Sequence, residues 1–154
     1  MLKTNEADDI KIELKSFSML GFPTENDLNS AITYVSAKTE ILIKDIIGLS
    51  YYEYLKGLNG AYLDIYQSSV YYAEVNAVCR DIMNHISKKY QVESNGGSFS
   101  LPDYSESSPS GAQWFMNDQM RFNNEYTKFM YTAGYKVNQM ATIPNYYQNQ
   151  ECKI

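Results

Sequence analysis

The sequence predicts a mainly α fold, a small bundle of about four helices with a long Ser/Gly-rich loop or short hairpin between the last two. Three observations carry that expectation. Residues 68–90 place Tyr71, Val75, Val78, Ile82 and Ile86 in one narrow helical arc, with Cys79, Met83 and Tyr90 at its edge. Glu74, Asn76, Arg80, Asp81, Asn84 and Lys88 cover the other side, where a solvated face is expected. Upstream, Thr24-Glu25-Asn26-Asp27 reads as an N-cap with an acid three residues on, a variant of the capping box, ahead of an apolar repeat that runs to Gly48. Downstream, residues 93–111 lose all helical periodicity and turn rich in Ser, Gly and Pro.

The elements follow in order. A short first helix is expected over residues 5–16, with Ile10, Leu14 and Phe17 on one side and Asp8 and Asp9 near its positive end. Leu20-Gly21-Phe22-Pro23 turns the chain. The second helix, residues 25–47, gathers Leu28, Ala31, Ile32, Val35, Leu42, Ile43 and Ile46 on one face with Thr39 among them. Tyr34 and Ile41 fall on a different face, about 140° away. They are either a second packing surface, against another subunit, or two ordinary exposed hydrophobes.

Residues 49–67, interrupted by Gly57 and Gly60, are either an irregular connection holding a helical turn or two at 50–56, or the start of the central helix as early as Ala61. The segment 93–111 exceeds the roughly 12–15 residues usual for a connection in a compact domain, so it is read as protruding. Its Ser98-Phe99-Ser100-Leu101 alternates like a short strand. The closing helix is expected to reach Met140 with a stripe of Phe115, Phe122, Tyr126, Phe129, Met130, Ala133, Val137 and Met140. Trp114, Met116, Met120, Tyr131 and Tyr135 lie elsewhere on its circumference. Residues 1–140 thus form one helical domain, and 141–154 an extended tail without a core pattern.

Composition narrows the function. A chain of 154 residues with 44% hydrophobic and 20% charged residues holds one domain with a real core. Its 15 tyrosines reflect either codon bias or a surface built for contacts, since tyrosine supplies large amphipathic area at low entropic cost. A net charge of −5 and a pI near 4.8 argue against a protein that grips nucleic acid through its phosphates. No signal peptide is expected from the polar start, and no run approaches the roughly 18 apolar residues of a membrane helix. Cys79 and Cys152 do not read as a disulfide framework, which points to synthesis in a reducing cytoplasm.

Chemistry is sparse. His85, the single histidine, lies six residues after Cys79, about 600° on, so the two side chains point roughly 120° apart. His85 reads as a core-edge residue. One His and two distant Cys do not make a zinc site, and no glycine-rich loop joins a strand to a helix. Glu74 and Asp81 share a face, but seven residues separate their backbones by roughly 10.5 Å. Asp103 and Glu106 sit in the irregular segment with nothing to position them. The residues therefore indicate no catalytic, cofactor-binding or metal site, no cofactor, and no enzyme.

Two stretches carry a family likeness. One is the opening, Ile12 to Leu14, then Leu20-Gly21-Phe22 and Thr24-Glu25-Asn26-Asp27-Leu28. The other is Val92-Glu93-Ser94-Asn95-Gly96-Gly97-Ser98-Phe99-Ser100-Leu101. Together with the helix order, over most of residues 8–140, the chain resembles the small head–tail connector (adaptor, or head-completion) proteins of tailed bacteriophages. It departs from them in a longer 49–67 segment and in Gly97, where an acidic residue is common.

The resemblance implies a structural virion protein of the neck, assembled in the host bacterial cytoplasm. About a dozen copies would form a homo-oligomeric ring between the portal protein and a neck or tail protein, with DNA passing without specific binding. On that reading Glu93, Ser94, Gly96, Gly97, Phe99 and Leu101 contact a neighbouring subunit or the portal, and Tyr146 and Tyr147 of the tail brace the ring. Tyr34, Ile41, Trp114, Tyr131 and Tyr135 supply the second faces that ring neighbours need. The alternative is a monomeric helical module binding a peptide or regulatory partner, with Trp114, Tyr131 and Tyr135 as anchors.

Overall fold

A computed structural model of the chain describes residues 2, 6–14, 20–58, 65–94 and 110–137, with side chains placed at 2, 7–14, 20–58, 67–86 and 117–137. Five α-helices lie in this part: α1 (Glu6–Glu13), α2 (Glu25–Ile47), α3 (Leu49–Gly57), α4 (Ile65–Ser94) and α5 (Ser110–Thr132). The mainly helical bundle read from periodicity is what forms. The fifth helix is α3, built from the stretch that the two glycines left open. The short strand and the tail beyond residue 137 lie outside the described residues.

Local chemistry sets the helix ends. Thr24 is extended, its hydroxyl oxygen accepts the Asp27 N–H at 3.2 Å, and an Asp27 carboxyl oxygen accepts the Thr24 N–H at 3.0 Å. That reciprocal pair satisfies two donors that the first turn of α2 would otherwise leave open. At the other end Gly48 takes φ 89° and ψ 140°, a region only glycine enters cheaply. Its N–H donates to Lys44 O and its carbonyl accepts from the Tyr52 N–H, so one residue closes α2 and opens α3.

The closing helix stops eight residues before the expected Met140. Gly134 (φ 89°) donates to Tyr131 O, and the Tyr135 N–H reaches back to Met130 O, both at 2.9 Å. This is a Schellman stop, and Tyr135 packs half-buried against the core as such motifs favour. Ala133 and Val137 still pack on the core, but from the turn rather than from a continuing helix.

The core is organised by α4. From Ser69 to Arg80 every residue except Tyr72 is buried, including Glu74, Asn76 and Arg80. The side expected to be solvated is therefore covered at Glu74, Asn76 and Arg80, because α4 is packed by α5 most extensively and also by α2 and α1, while Asp81 and Asn84 are partly exposed. A helix apolar on one face but buried beyond it must find partners for its polar groups. The expected apolar arc, Tyr71, Val75, Val78, Ile82 and Ile86 with Cys79 and Met83, is buried. His85, expected at the core edge, is exposed.

Against α4, α5 sets Phe122, Tyr126 and Met130, and α1 sets Ile10 and, just past its end, Leu14. The buried stripe of α2 is Leu28, Ile32, Val35, Ser36, Thr39, Ile43 and Ile47, while Leu42 turns out 39% exposed. Ser36 Oγ and Thr39 Oγ1 are buried there without a hydrogen-bond partner.

The Gly48 corner yields a direct check. A Cβ at Gly48 would meet nothing within 4 Å, so replacement by alanine tests backbone conformation alone. Gly48→Ala is expected to lower stability by about 1–3 kcal/mol, read as a lower urea midpoint at unchanged slope.

Candidate functional site

The polar groups of α4 are taken up partly by neighbouring elements and partly within the helix, where the Asn76 amide donates to Tyr72 O at 2.8 Å. Glu74, 0% exposed, accepts the Tyr52 hydroxyl from α3 at 2.6 Å on one carboxyl oxygen and the Leu2 N–H at 3.0 Å on the other. The Tyr71 hydroxyl donates to Asp9 of α1, and the Cys79 thiol faces Ile10 O at 3.9 Å. Arg80 pairs with Asp81 at 2.7 Å, reaches Asn123 Oδ1 of α5 at 3.5 Å and lies 4.9 Å from the centre of the Tyr126 ring. Burial pushes the Tyr126 hydroxyl up, against the opposing pull of Arg80.

These contacts tie α1, α3, α5 and the Leu2 backbone to α4. Burial pushes the Cys79 thiol far up, which keeps it protonated and unreactive. The Glu74 and Asp81 carboxyls, expected together on a solvated face, are separated in role: the first is enclosed, the second pairs with Arg80 at the edge. Among the described residues no group of three His, Cys, Asp or Glu is placed to hold a metal, and no helix is long and apolar enough to cross a membrane.

The features left without a structural purpose are on the surface. On α2, Tyr34 and Ile41 are 61% and 62% exposed, and Lys38 between them holds its ammonium 4.5 Å from the Tyr34 ring centre. On α5, Met120 and Tyr131 stand exposed, eleven residues apart and so on one face of the helix. Between α1 and α4 a shallow groove of about 180 Å³ is lined by Asp9, Ile12, Glu13, Tyr71, Tyr72, Val75 and Asn76. Ile12, at 78%, is the most exposed large hydrophobe among the described residues. The Tyr72 ring rests on Phe129 of α5, centroids 5.3 Å apart.

At the α2–α3 corner, Lys44 bridges Glu40 at 2.7 Å and Glu53 at 3.2 Å, and Lys56 approaches Glu40 at 3.9 Å. Burial pushes the Glu40 carboxyl up, but the positive charges around it, Lys44 among them, more than offset this and bring it from 4.5 to about 2. The hydrogen bond to Glu40, aided by Glu53, raises Lys44 against an opposing effect of burial.

Of the residues singled out from sequence, Tyr34, Ile41 and Tyr131 are exposed on outer faces, and Tyr135 is half-buried at the α5 stop. Glu93 and Ser94 form the last residues of α4 rather than the start of an irregular segment, and Trp114 lies in the first turns of α5. The side chains of these three, and all of Gly96, Gly97, Phe99, Leu101, Tyr146 and Tyr147, lie outside the described residues. Sequence reasoning missed the groove. Its one signal was Ile12, apolar on the side of α1 away from Ile10 and Leu14.

Comparison of the chain with protein-family models, curated proteins and solved structures returns no significant match.

Two outcomes follow from the buried contacts. Tyr52→Phe keeps the ring and removes only the hydroxyl, leaving a Glu74 oxygen unpaired, so stability should fall by about 1–3 kcal/mol in urea unfolding. For Glu40, a folded pKa below the unfolded one stabilises the chain above pH 4.5, and that contribution disappears as pH falls toward about 2. The stability gap between the wild type and Glu40→Gln, measured by thermal melts across that window, should shrink toward zero at its acid end. A gap that stays constant would remove the carboxylate from the account.

Proposed function

We propose that this chain is a structural, ring-forming head–tail connector of a tailed bacteriophage, joining the portal to the next neck or tail component around the DNA channel. The observation that carries the reading is the presence of unlike exposed apolar faces on different helices: Tyr34 and Ile41 on α2, Ile12 on α1 with Tyr72 on α4, and Met120 and Tyr131 on α5. Neighbours in a closed ring meet through two different patches of the same chain, whereas a monomer needs neither.

The acidity supports the same reading. With a net charge of −5, the chain offers DNA little to hold, and a channel wall that does not bind phosphates lets DNA slide. The family likeness at residues 12–28 and 92–101 supplies the biological setting.

Immunogold electron microscopy on particles purified from the source culture tests it, with antibody raised to this chain. Gold clustered between capsid and tail is the expected result. Intact particles with an accessible neck that carry no label there overturn the proposal and redirect the search to a one-to-one partner.

A further inference from the structure

The α2 face and the α1–α4 groove match each other in chemistry. Tyr34, Lys38 and Ile41 follow i, i+4, i+7 spacing and so share the side of α2 turned away from the core. They present one cation flanked by an aromatic and an aliphatic side chain. The groove presents the converse: its lining includes the carboxyls of Asp9 and Glu13 together with the exposed hydrophobes Ile12 and Tyr72. At about 180 Å³ it falls below the roughly 300–1,000 Å³ of small-molecule pockets and suits a single inserted side chain.

Its charges are only partly engaged. Asp9 accepts the Tyr71 hydroxyl through one oxygen, and Glu13 meets Arg121 at 3.7 Å with both side chains nearly half exposed, a pairing that contributes little. The rest of α1 adds Glu6 and Asp8 against one lysine, Lys11, itself paired with Glu25 at 3.3 Å. On α2, the Lys38 ammonium has only the Tyr34 ring beside it among the described residues.

We infer that the occupant of the groove is a second copy of this chain, with the Tyr34–Lys38–Ile41 face of one copy seated on Asp9, Ile12, Glu13 and Tyr72 of the next. The two patches belong to different helices and differ in charge, so the contact is heterologous and each copy retains one face and one groove for further copies. This deepens the connector reading by naming its subunit contact. Lys38 enters between the carboxyls, while Tyr34 and Ile41 cover Tyr72 and Ile12. Charge fixes the register and the apolar flanks supply the affinity.

A charge swap tests the pairing. Glu13 is the groove residue to change, because Asp9 anchors Tyr71. Lys38→Glu and Glu13→Lys, each checked for native circular dichroism, should each weaken self-association at least roughly tenfold in sedimentation velocity. Mixed in equal amounts, the two variants should assemble again, because every contact in an alternating array then pairs unlike charges. Lys136→Glu, an exposed charge reversal beyond the end of α5, should leave association unchanged.

Wild-type chains that remain monomeric at every concentration, single variants that assemble as the wild type does, or a mixture that stays apart would each overturn the contact. If the neck is gold-labelled and any of these occurs, the connector reading stands and this interface falls. Restored assembly in the mixture with unlabelled necks supports the interface and sinks the connector.

Discussion

Burial of α4 from Ser69 to Arg80, Tyr72 excepted, is the constraint on which the rest of the structure depends. A helix carrying Glu74, Asn76 and Arg80 between its apolar positions has to satisfy those groups inside the protein, since a buried polar group without a partner costs about 1–3 kcal/mol. Each neighbour therefore contributes a specific atom as well as apolar area. Tyr52 of α3 and the Leu2 backbone meet at Glu74, Asp9 of α1 receives Tyr71, and Asn123 and Tyr126 of α5 meet Arg80. Apolar packing alone tolerates sliding by a turn. These directional contacts do not, and they give α1, α3 and α5 a single register against α4.

The Glu74 node also joins parts of the chain that are far apart in sequence. Leu2 and Tyr52 are 72 and 22 residues away from it, and both reach one carboxyl group. The Gly48 corner makes this possible: a positive φ turns α3 directly off α2, and the Glu40–Lys44–Glu53 ion network spans the bend. A longer or looser link between the two helices would not present Tyr52 to α4 at a fixed height.

With the interior so fully assigned, the outer faces stand out as having no internal purpose. Tyr34 and Ile41 make no contribution to the bundle's core, nor does Ile12, and exposed apolar side chains of that size are the ones that association covers. The charges beside them carry opposite signs on the two patches, which is the feature the proposed contact between copies rests on.

The sequence by itself determined the helical class, the Thr24–Asp27 start and Gly48 end of α2, the apolar arc of α4 and the outward position of Tyr34 and Ile41. All of these depend on local rules, capping geometry and helical period, which operate within a turn or two of each residue. The Gly134 stop obeys a local rule as well; the apolar residues on either side of it, Ala133 and Val137, imitated a continuing stripe because they pack on the core from the turn. Only the tertiary structure decided that Glu74 and Arg80 are buried, that α1 and α4 leave a groove between them, and that Asp9 and Glu13 lie beside Tyr72. Polarity indicates solvent exposure only when one face of a helix is covered. For α4 the neighbours on the other faces come from residues as distant as Leu2 and Tyr126, and no window along the chain contains them.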